Sequence, residues 1–147
     1  MCEVSIRCER GEFLTIVVQR RSNLDCTDYW DGNWVVVKVD VSVGGFRGSM
    51  TGDLRTDELA RFLEQLVQLQ VSLQGTAEFQ TMEDWLSIRA SGDGCGHMTF
   101  ECTVRDQPGI GNTLEFLLAT DQTFTRSTVA ELAAVVKRFP VIGSPFA

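Results

Sequence analysis

The chain has 147 residues, 44% of them hydrophobic and 22% charged, and its 20 acidic and 13 basic side chains give a net charge of −7. That length and mixture support one packed core, read as a single domain over residues 1–147, and exclude a disordered or low-complexity protein. The acidic balance argues against direct binding of nucleic acid, which needs clustered Lys and Arg on phosphates, and suits either solubility or a basic protein partner.

Residues 2–10 alternate Val4, Ile6 and Cys8 with Ser5, Arg7 and Glu9, which predicts a strand. Gly11 breaks it, and Leu14, Ile16 and Val18 mark a second strand over residues 13–20. The connection that follows is polar and aromatic. It ends in Asp28-Tyr29-Trp30-Asp31-Gly32-Asn33-Trp34, with Asp25 just upstream. Val35, Val37, Val39, Val41 and Val43 then fall on one face of the clearest strand in the chain, opposite Trp34, Lys38 and Asp40. Gly44-Gly45 is a hairpin turn into a strand whose inner positions are Phe46, Gly48, Met50, Gly52 and Leu54. Such small inner residues imply a bulky neighbour, and the helix that comes next is the candidate.

That helix is expected over about 57–74, capped by Thr56, carrying Asp57 and Glu58 in its first turn and stopped by Gly75. Leu59, Phe62, Leu63, Leu66, Leu69 and Leu73 form its apolar stripe. A second meander follows, with strands around residues 77–81, 85–90, 97–105 and 114–118. Thr128-Val129-Ala130-Glu131 fits a capping box and predicts a last helix over about 128–139, closed by Pro140, with a loosely packed tail over residues 141–147. The order predicts an α+β fold: a largely antiparallel sheet of about 7–8 strands in two meanders, with the two amphipathic helices on one face. The two halves resemble each other only loosely.

The chain has five cysteines and one histidine. Cys2, Cys8, Cys26, Cys95 and Cys102 are irregularly spaced, contain no C-x-x-C pair and read as free thiols of a reducing cytoplasm. The N-terminus has no signal-peptide pattern, and no apolar run approaches the ~20 residues of a membrane helix. His97 with Cys95 or Cys102 is the one arrangement for a nucleophilic thiol, and Asp28 with Asp31 the one carboxylate pair among aromatics. Cys95-Gly96-His97 is too small a set for zinc, so no metal and no cofactor are expected. The glycine turns at residues 92–96 and 109–111 precede strands rather than helices and do not cradle phosphate.

The remaining constellation is Asp25, Asp28, Tyr29, Trp30, Asp31, Trp34 and Asp40, residue types that anchor protein interfaces. Trp30 and Trp34 read equally well as plugs at the end of the sheet. A small enzyme using His97 or the carboxylate pair, and a generic binding or oligomerisation module, are the competing classes. An exposed edge strand offers a route to a homodimer.

Asp28-Tyr29-Trp30-Asp31-Gly32-Asn33-Trp34, Val43-Gly44-Gly45-Phe46, Leu54-Arg55-Thr56-Asp57-Glu58-Leu59 and Phe62 resemble the WapI-type immunity proteins of bacteria. Gly75-Thr76-Ala77-Glu78-Phe79, Gly92-Asp93-Gly94-Cys95-Gly96-His97 and Asp121-Gln122-Thr123 are similar too, so the likeness runs from about Asp28 to Phe139. The resemblance implies a non-enzymatic, cytoplasmic antitoxin that binds the C-terminal toxic domain of a contact-delivered polymorphic toxin. For the founding type that domain is a nuclease acting on tRNA. It assigns no contact residue.

Overall fold

A computed structural model describes residues 2–146; Met1 and Ala147 lie outside them. Eight strands and three helices follow in the order β1 (Cys2–Arg7), β2 (Phe13–Arg21), α1 (Tyr29–Gly32), β3 (Trp34–Val43), β4 (Phe46–Arg55), α2 (Thr56–Ser72), β5 (Gln74–Gln80), β6 (Leu86–Asp93), β7 (His97–Gln107), β8 (Ile110–Asp121) and α3 (Gln122–Arg138). The α+β class and the two antiparallel meanders are as expected. The meanders, however, form two four-stranded sheets, β1-β2-β3-β4 and β5-β6-β7-β8.

The period-two pattern places the side chains as predicted. Val35, Val37, Val39, Val41 and Val43 are all buried, and so are Met98, Phe100, Cys102 and Val104 of β7. The inner faces of both sheets and the apolar stripes of α2 and α3 share one hydrophobic core. Each sheet would expose the polar backbone of an edge strand, and the helices close two of these edges reciprocally. The Ser5 amide of β1 donates to Glu131 of α3 at 2.9 Å, and the Thr128 hydroxyl donates to the Ser5 carbonyl at 2.7 Å. The Glu78 amide of β5 donates to Gln65 of α2 at 2.8 Å. Thus the helix of each half guards the sheet of the other.

Three expectations change. Helix α3 starts at Gln122, because the Asp121 carboxylate caps it by accepting the amides of Thr123 and Phe124. Thr128 and Glu131, which mimic a capping box, instead reach across to β1. Helix α2 stops one turn before Gly75 through Leu73, which adopts the left-handed conformation at φ 63°. The bulky group over β4 is Trp85, from the turn before β6, rather than α2. A Cβ on Gly52 would sit 2.7 Å from the Trp85 ring, and the indole donates to the Asp53 carbonyl at 2.9 Å. Trp85 is 1% exposed, so the missing side chain of Gly52 is what lets the indole lie flat against the sheet.

Candidate functional site

The connection between β2 and β3 is where the chain departs most from regular structure. The Asp28 carboxylate accepts the Asp31 amide at 3.1 Å, and the Gly32 amide donates to the Asp28 carbonyl at 2.9 Å, closing the single helical turn α1. Asn33 next to it is fully buried. Its amide group donates to the carbonyls of Tyr29 and Ile142, while its oxygen accepts the Thr56 hydroxyl and the Ile142 amide. One side chain therefore ties α1, the start of α2 and the C-terminal segment together.

The tail was expected to pack loosely, and residues 140–143 do the opposite. Arg21 donates to the carbonyls of Gly32 and Pro140. A Cβ on Gly32 would meet Ile142 at 2.7 Å, and one on Gly143 would meet the Tyr29 amide at 2.6 Å. At Gly143, held at φ 69°, backbone touches backbone and only glycine fits.

Arg55, at the junction of β4 and α2, organises the aromatics. It is 1% exposed. Its guanidinium donates to the carbonyls of Tyr29 and Trp30 at 2.9 and 2.8 Å and to the Asp57 carboxylate at 2.9 Å. Its central carbon lies 5.0, 5.5 and 5.3 Å from the ring centroids of Tyr29, Trp30 and Trp34. A buried cation needs both donors satisfied and charge compensated, and carbonyls, carboxylate and π faces supply this together. Tyr29 and Trp34 are half-buried against it, whereas Trp30 keeps 56% of its surface in solvent and meets Tyr29 edge-on at 4.9 Å. Spacing in the sequence did not mark Arg55 as the centre of the aromatics, because Tyr29, Trp30 and Trp34 lie over 20 residues upstream.

Of the predicted binding residues, the fold brings together Asp25, Asp28, Tyr29, Trp30, Asp31 and Trp34. Asp40 stands apart: it lies six residues along β3 from Trp34, roughly 20 Å, and its partner is Lys38 at 3.8 Å. The Cys26 thiol and the carboxylates of Asp28 and Asp31 come within 4.8 Å of one another on the exposed rim. Desolvation first, and then those carboxylates with Asp25, push the Cys26 thiol up, so this rim is electronegative.

The catalytic alternative has little geometry behind it. Burial holds the Cys102 thiol protonated, with its pKa pushed up to about 12. The ring of His97 sits 2.7 Å from Asp93, whose other oxygen accepts the amides of Cys95 and His97, so the pair locks the β6–β7 turn. Those bonds, the Cys95 amide foremost, hold the Asp93 carboxyl below the usual range.

The sequence profile of the immunity protein WapI-like family matches residues 5–140. The chain belongs to that family. Membership supports an immunity role, with a toxin protein as partner, and suggests a non-enzymatic one. No curated protein matches it. Its fold resembles that of "trypanosoma bruciei MRP1/MRP2", with a TM-score of 0.52 and 15% identity, covering 94% of this chain and 84% of the other. A guide-RNA-binding protein complex bound to its RNA gives a TM-score of 0.50 and 16% identity, covering 92% of this chain and 88% of that one. At such identities the likeness concerns fold only. No helix of the described residues is long and apolar enough to cross a membrane.

Proposed function

We propose that this WapI-like chain acts in the cytoplasm, as one domain, by binding the toxic C-terminal domain of a contact-delivered polymorphic toxin and covering its working surface. The observation that carries the reading is an exposed Trp30 on a turn held rigid from below by Arg55 and Asn33 and rimmed by Asp25, Asp28 and Asp31. A preformed aromatic anchor loses little conformational freedom on binding, and carboxylates around it select a basic partner and speed its approach. A nuclease is the favoured target, since its substrate cleft is basic and the three carboxylates would meet it where phosphates do. The net charge of −7 supports the same choice and speaks against the chain itself binding RNA, whatever its fold shares with a guide-RNA-binding protein.

The test is a charge swap that spares the Asp28 cap. Asp25→Lys with Asp31→Lys should weaken binding to the C-terminal domain of its cognate toxin at least tenfold and flatten the salt dependence of that binding. Unchanged affinity removes the turn from the interface.

A further inference from the structure

A second loop shares the ground on which the aromatic turn stands. The Glu58 carboxylate, in the first turn of α2, accepts the Arg55 amide at 2.8 Å, and the indole of Trp85, which ends the 81–85 loop, donates to the carbonyl of Asp53, two residues before Arg55. Arg55 in turn carries Trp30. Met82, within that loop, is 59% exposed where Trp30 is 56% exposed. Two large apolar side chains therefore stand in solvent on segments anchored beside the same β4–α2 junction.

The 81–85 loop is not slack. The Thr81 hydroxyl accepts the amides of Trp85 and Leu86, and the Asp84 amide donates to the Thr81 carbonyl. Asp84 is held at φ 56°, and Arg105 clamps both its carbonyl and its carboxylate, at 3.0 and 3.1 Å. The Trp85 indole anchors the end of the loop in the core.

The charges around the pair are one-sided. Arg55 and Arg61 are both bound to Asp57, and Arg105 to Asp84. Asp31 and Glu83, beside the two anchors, carry exposed carboxylates with no cationic partner among the described residues. We infer that Trp30 and Met82 are paired anchors of one docking surface that takes a basic protein face, with Asp31 and Glu83 meeting its Lys or Arg side chains. This rests on the proposed immunity function and adds the 82–84 loop to it.

The experiment measures binding kinetics of the full chain with the C-terminal domain of its cognate toxin. Met82→Ala should raise Kd about tenfold, and Glu83→Lys should slow association and lessen its salt dependence. Trp30→Ala with Met82→Ala should show coupling, their joint effect differing from the product of the two single effects. Phe46→Ala is the control: Phe46 is 65% exposed at the far end of β4, roughly 30 Å from Arg55, and should leave binding unchanged. All four variants change exposed side chains, so an unaltered melting temperature verifies folding. A wild-type chain that does not bind the toxin domain overturns the immunity reading itself. A wild type that binds, with Met82→Ala and Glu83→Lys equal to it, overturns the paired surface alone.

Discussion

The two halves of the chain, β1–β4 with α2 and β5–β8 with α3, are built to the same plan. Each is a four-stranded antiparallel meander followed by a helix of 17 residues. The third and fourth strands join through Gly44-Gly45 in one half and Pro108-Gly109 in the other. Even the edge clamps correspond: counted from Thr56 and from Gln122, Gln65 and Glu131 are each the tenth residue of their helix. The halves part company between their second and third strands. Residues 94–96 suffice in the second half, while residues 22–33 intervene in the first and hold α1. The scaffold repeats, and the proposed binding residues lie in the segment that the repeat does not require.

The sharpest way to break the scaffold is Trp85→Ala, which leaves a cavity over Gly52 and strands the Asp53 carbonyl. Denaturant unfolding should show a loss of about 3–5 kcal/mol. Arg55→Met should come next, at about 3 kcal/mol, since it leaves Asp57 and two carbonyls without their buried donor. It should also release Trp30, detectable as a change in tryptophan fluorescence. The clamps offer a finer contrast. Glu131→Leu strips a buried amide at Ser5 and should cost about 1–2 kcal/mol, whereas Gln65→Leu faces the exposed Glu78 and should cost at most about 0.5 kcal/mol.

The smallest effect is one of pH. Burial raises the Glu58 carboxyl above its ordinary 4.5, against the pull of the Arg55 and Met82 amides. The folded state then holds this proton more tightly than the unfolded chain does, so the group's contribution is full below pH 4.5 and declines as pH rises through the folded pKa. Glu58→Gln cannot titrate. The stability of the wild type relative to this variant should therefore be greatest below pH 4.5 and fall toward pH 7, measured by melting at a series of pH values. A constant difference would mean that Glu58 titrates as an exposed carboxyl.

The sequence by itself determined the strands, because alternation over Val35, Val37, Val39 and Val41 is a local pattern that only a half-buried strand satisfies. It also determined the amphipathic α2, the acidic-aromatic turn and the family likeness. It misplaced the start of α3, since Thr128 and Glu131 carry the letters of a cap but spend their polar atoms on Ser5, over 120 residues away. Tertiary structure alone decided the division into two sheets, which depends on which edge strands the helices cover. It alone decided the site as well. Arg55 decided that Tyr29 and Trp34 pack half-buried against it while Trp30 stays exposed, and Asn33 decided that the start of the tail is tied down. Those contacts join segments far apart in the chain, and no spacing between neighbours in sequence encodes them.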